Sequence, residues 1–224
     1  MRGRPGEPWA GAPGGRPLAG RRGSVVIIDD EVEILDAFRS LLELEGYACD
    51  TYSSAAAYLE RLAAGTGPPV KPCCVLLDVM MPQVGGLEAQ QRLASLDDTP
   101  LLLMSGASGA QEAVAAFRAG AFDFLIKPVE AEVLLAVVEK AMEACRARLS
   151  RRQQLQELSR RLGTLTRREL EVAERVARGD LNRVIAEELK LALRTVKLYR
   201  QRALEKLEAH STADLVRILQ EGGG

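Results

Sequence analysis

The chain has 224 residues, of which 47% are hydrophobic, 27% charged and 4% aromatic. This composition is typical of a soluble globular protein with one large domain or two small ones. No apolar run approaches the roughly 20 residues that span a bilayer, so we expect no membrane-spanning helix. The net charge of −1 is uneven: residues 24–145 contain 7 Lys and Arg against 19 Asp and Glu, whereas residues 146–224 contain 18 against 11. An acidic front and a basic back predict two domains with different partners.

The N-terminal segment, residues 1–23, is rich in Gly, Pro and Arg and lacks the apolar stretch of a secretory signal. Such a composition cannot bury enough apolar surface to fold, so we predict a disordered tail.

The four cysteines lack the spacing of a metal site, and the chain has a single histidine. They are Cys49, Cys73, Cys74 and Cys145. Cys73 and Cys74 lie in an apolar run, and we interpret these two as small hydrophobic residues. The cysteine usage favours a protein of the reducing cytoplasm.

Short apolar runs alternate with amphipathic stretches through the acidic front. The predicted strands are 24–28, 47–52, 73–77, 101–104 and 122–126. The predicted helices end near residues 44, 64, 96, 119 and 148, and the third of them covers 87–96. This alternation predicts a five-stranded parallel, doubly wound α/β sheet of the flavodoxin-like class. Ligands of such sheets bind outside the carboxyl ends of the strands.

Polar side chains follow four of these strands. Asp29 and Asp30 follow the first strand, Asp78 ends the third, and Ser105 and Lys127 end the fourth and fifth. Three carboxylates repel one another unless a cation lies among them, and oxygen ligands suit Mg²⁺. The lysine and the hydroxyl would neutralise and bind a phosphoryl group, with Asp78 as the nucleophile that forms an acyl phosphate. The alternative is that aspartates at strand ends only cap the next helix, but five such residues on four strands favour a site.

These residues stand in a specific pattern, and residues 24–145 resemble the receiver domain of a two-component response regulator. The matching residues are Asp29-Asp30, Asp78 followed by Met81-Pro82 and Gly85-Gly86, Ser105-Gly106, and Lys127-Pro128. The resemblance implies that Asp78 accepts a phosphoryl group from the histidine of a sensor kinase.

The resemblance also implies further roles. Mg²⁺ would be bound by Asp30, by Asp78 and by the backbone carbonyl of Met80, with Asp29 acting through water. Ser105 and Phe124 would be the switch pair: the hydroxyl would swing toward the phosphoryl group, and the aromatic ring would turn inward after it. Without the resemblance, we would interpret Phe124 as an ordinary aromatic of the sheet. The backbone of Gly106 would approach the phosphoryl oxygens closely. Met80 and Ala107 stand where a polar side chain could align a water molecule, so we expect slow autodephosphorylation.

The basic back begins with a helical linker, residues 146–162, which is either a solvated helix or a direct DNA contact. Thr166 and Glu169 then predict a capping box at the start of a helix, and Gly179 predicts its end. A short helix over 183–189 and a longer one over 193–207 follow.

The second helix of this pair has two different faces. Val196, Ala203, Leu204 and Leu207 share an apolar face, and a basic, amide-bearing face lies opposite. Such a face suits the DNA major groove, although on charge alone it could be a solvated surface.

Residues 163–224 resemble a LuxR/FixJ-type helix-turn-helix domain. The matching pieces are Leu165-Thr166-Arg167-Arg168-Glu169, Gly179, Asn182, Ile185-Ala186, Leu189, Arg194-Thr195-Val196-Lys197 and Lys206-Leu207. The resemblance implies that the bases of double-stranded DNA face Lys197, Leu198 and Gln201. It implies that the phosphates face Arg194, Thr195 and Arg200. The last helix, near 212–219, would pair two copies.

The chain departs from that family at four positions. Leu181 and Ala192 stand where the family often has capping Ser or Thr, and a lost cap costs about 1 kcal/mol. Lys190 replaces a common turn glycine, and Tyr199 a common histidine. We expect the fold to persist while DNA preference and affinity change.

Together these features predict a cytoplasmic response regulator that is a transcription factor rather than an enzyme. Phosphorylation would promote a homodimer through the fourth helix, fifth strand and fifth helix, and RNA polymerase is a possible further partner. Two alternatives are a regulator that binds DNA without phosphorylation and an aspartate-nucleophile phosphohydrolase. The hydrolase would need a second acid two residues after Asp78, where the chain has Met80.

Overall fold

The computed structural model describes residues 22–65, 71–81, 93, 99–106 and 110–222. These residues form two compact units, divided at Arg146 and Ala147. Apart from Leu93, the helix predicted over 87–96 lies outside the described residues. So do Pro82, Gly85, Gly86 and Ala107 of the predicted site, and all of the predicted tail except Arg22 and Gly23.

The first unit is built on a five-stranded parallel sheet. Its strands are β1 (Ser24–Ile28), β2 (Ala48–Tyr52), β3 (Cys73–Asp78), β4 (Leu101–Ser105) and β5 (Asp123–Ile126). Their order in the sheet is β2-β1-β3-β4-β5. The chain thus adds β2 on one side of β1 and then adds β3, β4 and β5 on the other side, while all strands remain parallel. The predicted doubly wound architecture is confirmed, with strand limits shifted by at most one residue.

Helices cover both faces of this sheet. The described ones are α1 (Val32–Leu44), α2 (Ala55–Ala63), α3 (Ala110–Arg118) and α4 (Ala131–Leu162). Side chains alternate across each strand, so the sheet contributes to two separate apolar clusters. One includes Ile27 and Leu76 with Val138 of α4. The other includes Ile28 and Leu77. Because β3 and β4 are buried throughout, the polar residues at their ends are fixed in position.

The second unit is helical, as the sequence predicts. After the last part of α4 it contains α5 (Arg167–Ala177), α6 (Asn182–Glu188), α7 (Leu193–Leu207) and α8 (Thr212–Gly222). The predicted capping box is present: the Thr166 side chain accepts from the Glu169 N–H, and the Glu169 side chain accepts from the Thr166 N–H. Gly179 follows α5 with φ +94°, a left-handed conformation that favours glycine. Among the helices that the structure describes, none has the length and apolarity needed to cross a bilayer.

Candidate functional site

Three carboxylates gather at the carboxyl edge of the sheet. Asp29 and Asp30 follow β1, and Asp78 is the last residue of β3. Their ligand oxygens all lie within 4.8 Å of one another. Asp29 and Asp78 are buried, whereas Asp30 is exposed. A set of hard oxygen donors with one open side fits a hydrated divalent cation such as Mg²⁺.

Lys127, directly after β5, lies against this cluster. Its Nζ atom is 2.7 Å from Oδ2 of Asp29 and 2.8 Å from Oδ2 of Asp78. It also lies 3.4 Å from Oε1 of Glu31. The lysine therefore supplies a positive charge to two buried carboxylates.

The remaining oxygens of the two buried aspartates accept backbone hydrogen bonds. The Met80 N–H donates to Oδ1 of Asp78 at 2.9 Å. The Glu31 N–H donates to Oδ1 of Asp29 at 3.0 Å. Each buried carboxylate is thus hydrogen-bonded through both oxygens, as buried charges require, and its orientation is fixed before any ligand binds.

Burial and mutual hydrogen bonding shift the pKa values of Asp29 and Lys127. Burial raises the pKa of Asp29, and the hydrogen bond from Lys127 opposes that rise. Burial on its own would lower the pKa of Lys127, but hydrogen bonds to Asp29 and Asp78 outweigh it and raise that pKa. Lys127 is therefore a permanent cation at neutral pH.

The other predicted site residues lie at or near the same edge. Ser105 is buried at the end of β4 and pairs in register with Ile126, the residue before Lys127. Gly106 follows it and is exposed. Phe124 is partly buried and packs against the apolar cluster that contains Leu77 and Leu103. Met80 exposes 62% of its surface.

Sequence reasoning missed Glu31 as a member of the site. Its backbone N–H orients Asp29, and its carboxylate contacts Lys127. The run of three consecutive acids, Asp29-Asp30-Glu31, is the signal that could have revealed it.

The predicted DNA-reading surface lies on α7. Arg194, Lys197, Leu198 and Gln201 are exposed, and Thr195 and Arg200 are partly buried. Val196, Ala203 and Leu207 are buried in the apolar core of the second unit. The structure therefore separates an apolar face from the polar one, as the sequence indicates.

Some of these side chains already have partners within the unit. Nε2 of Gln201 donates to Oε1 of Glu205 at 2.9 Å. Nη2 of Arg200 donates to Oγ1 of Thr212 at 3.3 Å. DNA contacts by these two residues would have to share or replace these hydrogen bonds.

The departures from the family pattern have visible consequences. Leu181 and Ala192 hold the N-cap positions of α6 and α7 and provide no side-chain cap. Lys190, in the turn between these helices, has φ +53°. A side chain in that conformation is strained.

A partly buried ion pair connects α5 and α7, and sequence reasoning did not predict it. Nζ of Lys206 lies 2.6 Å from Oε2 of Glu169, whose side chain is only 3% exposed. The same ammonium donates to the Thr164 carbonyl at 3.0 Å. Glu169 therefore both caps α5 and binds the last turn of α7.

Two parts of the chain match known families. Residues 25–139 match the response regulator receiver domain, and residues 163–219 match the bacterial regulatory proteins of the luxR family. The chain is 34% identical over 209 residues to the response regulator protein TodT of Pseudomonas putida, covering 92% of this chain and 88% of TodT. It is 32% identical over 203 residues to the transcriptional regulatory protein FixJ of Bradyrhizobium diazoefficiens, covering 90% of this chain and 97% of FixJ.

Solved structures agree with these matches. The response regulator StyR superposes with a TM-score of 0.77 at 31% identity, covering 88% of this chain and 98% of StyR. Full-length FixJ from B. japonicum gives a TM-score of 0.54 at 32% identity, covering 91% of this chain and 98% of FixJ. The chain therefore belongs to the two-component response regulators that combine a receiver domain with a LuxR-type DNA-binding domain, and it is a transcription factor of that family.

Proposed function

We propose that Asp78 is the phosphoacceptor of this response regulator and that its donor is the phosphohistidine of a sensor kinase. The observation that carries the proposal is the position of Asp78. Its carboxylate ends β3 among Asp29 and Asp30 and accepts a hydrogen bond from Lys127. A carboxylate held beside a fixed cation is a suitable nucleophile for an anionic phosphoryl group.

The transfer exchanges one bond to phosphorus for another. An oxygen of Asp78 attacks the phosphorus, the new O–P bond forms as the N–P bond breaks, and the histidine nitrogen keeps the bonding electron pair. Lys127, 2.8 Å from Oδ2 of Asp78, would then hold an oxygen of the transferred group. Asp30, Asp78 and the Met80 carbonyl would hold a Mg²⁺ ion, with Asp29 acting through water, and the ion would supply positive charge near the phosphoryl oxygens.

The response to phosphorylation would begin at Ser105. Its hydroxyl, buried at the end of the neighbouring strand β4, would move to donate to the phosphoryl group. The partly buried ring of Phe124 on β5 would turn inward after it, and the Gly106 backbone would approach the phosphoryl oxygens. These residues would transmit the chemistry at Asp78 to the surface around β5.

The acyl phosphate would be lost slowly. The exposed thioether of Met80 cannot hold a water molecule for attack on phosphorus, since it is neither a base nor a strong hydrogen-bonding group. The receiver would thus catalyse only its own phosphorylation and slow dephosphorylation.

Phosphorylation would promote a homodimer through the surface of α3, β5 and the start of α4, here called the dimer face. Helices α3 and α4 are the fourth and fifth helices predicted from the sequence. Four large apolar side chains on these elements are roughly half exposed. They are Val114, Phe117, Ile126 and Val133. Apolar side chains on consecutive elements mark an interaction surface.

The dimer would present two copies of α7 to a two-fold DNA site in the cytoplasm. Lys197, Leu198 and Gln201 would face the bases, and Arg194, Thr195 and Arg200 the phosphates. Two linked binding modules bind more tightly than one, and RNA polymerase would be a further partner. We place the receiver at 24–145, the linker at 146–162 and the DNA-binding domain at 163–224.

The test is the intact mass of the full chain after incubation with acetyl phosphate and Mg²⁺. Asp78→Asn removes the proposed nucleophile. Asp36→Asn, at an exposed position on α1, is the matched control. We expect one phosphoryl group on the wild type and on Asp36→Asn, and none on Asp78→Asn. A phosphoryl group retained by Asp78→Asn would refute the assignment, and none on any variant would favour a regulator that acts without phosphorylation.

A further inference from the structure

The cysteines gather at the amino edge of the sheet, opposite the acidic cluster. Cys49 of β2 and Cys74 of β3 both pair in register with Val25 of β1. Cys73 begins β3, and Cys145 lies on α4. All four are buried thiols.

Cys73 and Cys145 are in direct contact although 72 residues separate them. The Cys73 N–H donates to Sγ of Cys145 at 3.4 Å. Sγ of Cys73 lies 3.5 Å from Oγ1 of Thr99, which lies just before β4. The neighbouring Cys74 instead packs in the apolar cluster that contains Cys49.

We propose that Cys73 and Cys145 are a redox-modification site that forms a reversible intramolecular disulfide. Two S–H bonds break and one S–S bond forms, and two electrons and two protons leave the pair. A peroxide can accept them, in which case its O–O bond breaks and two hydroxyl compounds form; hydrogen peroxide gives two water molecules. Alternatively, a small-molecule disulfide accepts them and gives two thiols. Sγ of Cys145 already touches the backbone N–H of Cys73, so a local side-chain movement suffices to form an S–S bond of about 2 Å.

The surroundings of the pair make this reaction slow in the closed fold. The contact with Cys145 and, to a smaller extent, burial raise the pKa of the Cys73 thiol. The thiolate is the reactive species, so oxidation requires a local opening that admits the oxidant and lets a proton leave. Once formed, the buried disulfide is shielded from reductants in the same way. The site therefore responds to sustained oxidation and not to a brief pulse.

The disulfide would tie α4 to the strand that ends in Asp78. Cys73 and Asp78 are the first and last residues of β3, so the thiol pair and the acidic cluster lie at opposite edges of the sheet. Oxidation therefore leaves the acidic cluster intact. It restricts the unfolded chain and raises the melting temperature of the receiver. The proposal is independent of the phosphorylation of Asp78, and either can fail without the other.

The experiment treats the native full chain with oxidised glutathione and records its intact mass. Cys73→Ala and Cys145→Ala remove the pair, and Cys74→Ala is the matched control at the adjacent residue. We expect the wild type and Cys74→Ala to lose the mass of two hydrogen atoms and to regain it with dithiothreitol. Cys73→Ala and Cys145→Ala should show no such loss. Circular dichroism checks that each variant is folded.

Peptide mapping of the oxidised wild type tests the pairing without any substitution. Fragmentation between Cys73 and Cys74 should place the cross-link to Cys145 on Cys73. A cross-link through Cys49 or Cys74, a glutathione adduct, or an unchanged mass of the native chain would each overturn the proposal.

Discussion

Nζ of Lys127 lies 2.8 Å from Oδ2 of Asp78. Lys127 follows β5 and Asp78 ends β3, and these two strands are not neighbours in the sheet. Strand β4 lies between them, so the contact depends on the register of two strand pairs. The lysine side chain is 14% exposed and that of Asp78 is 5% exposed. The pair is therefore a buried one, and removal of the cation leaves uncompensated carboxylates.

We expect Lys127→Met to destabilise the receiver by about 3 kcal/mol at neutral pH, because breaking a buried ion pair leaves a buried charge. Urea unfolding of the full chain, followed by circular dichroism, measures the change. Mg²⁺ should recover part of the loss, since it binds the folded state.

Lys140→Met is the control for this prediction. Lys140 is exposed, and its ammonium lies 3.8 Å from Oδ2 of Asp123, so its loss should cost under about 1 kcal/mol. Equal destabilisation by the two substitutions would contradict the special role of Lys127.

We expect Ile126→Glu to keep the phosphorylated protein monomeric, because it places a charge on the dimer face. Ile126 is about half exposed, so the receiver itself should remain folded. Leu44→Glu is the control, since Leu44 is a still more exposed apolar residue on α1. Light scattering after size-exclusion chromatography, with and without acetyl phosphate, measures the mass. A dimer of phosphorylated Ile126→Glu would place the interface elsewhere.

The residues at the strand ends could be predicted from the sequence because a parallel sheet imposes their positions. Apolar runs indicated the strands, and the carboxyl ends of parallel strands share one edge of the sheet. The residues that end or follow these strands were therefore expected at that edge: Asp29, Asp78, Ser105 and Lys127. Glu31 could not be assigned in the same way, since the orientation of a side chain at the start of α1 depends on tertiary contacts.

Contacts between distant segments were beyond sequence reasoning. Lys206 was interpreted as part of the family pattern, and Glu169 as a capping residue of α5. Neither interpretation indicates that the two side chains are in contact. The contact between Cys73 and Cys145 likewise depends on how α4 packs on β3. Helix periodicity gives the buried face of α4 but not its axial position, which decides which residues meet.

We expect Lys197→Ala to weaken specific DNA binding by about 1 to 3 kcal/mol, the usual contribution of a base contact. Arg202→Ala is the matched control: Arg202 is an exposed cation on the same helix and lies outside the predicted reading set. Sites selected by the wild type from a random pool serve as probes, and fluorescence anisotropy measures affinity at fixed salt. Equal loss in both variants would indicate only general electrostatic attraction.

We expect Lys190→Gly to stabilise the second unit by about 0.5 kcal/mol, because glycine relieves a left-handed strain of about 1 kcal/mol at some cost in unfolded-state entropy. The strained φ of Lys190 is +53°. Lys190→Ala should give no gain, since alanine keeps the Cβ atom. Amide exchange of peptides from α6 and α7 measures the difference, and an equal gain from alanine would show that the lysine side chain and not the backbone is responsible.

The ion pair of Glu169 and Lys206 predicts how the stability of the second unit depends on pH. The hydrogen bond from Lys206 lowers the pKa of Glu169 below its ordinary value of 4.5, and burial opposes this only in part. Because the folded pKa is the lower one, the unfolded state binds a proton first as the pH falls. The stabilisation by the ionised carboxylate is therefore complete above the ordinary pKa and is lost as the pH falls through the folded pKa.

We expect Glu169→Gln to cost about 2 kcal/mol at pH 7, the usual contribution of a hydrogen bond to a charged group. Glutamine can still cap α5, so the substitution isolates the pair with Lys206. Glu171→Gln, on the same helix and paired only at the surface with Arg168, should cost about 0.5 kcal/mol or less. Amide exchange of α5 peptides at several pH values measures both. The deficit of Glu169→Gln should shrink below about pH 4.5, and a deficit that stays constant down to pH 3 would show that packing, and not the ionised carboxylate, accounts for the loss.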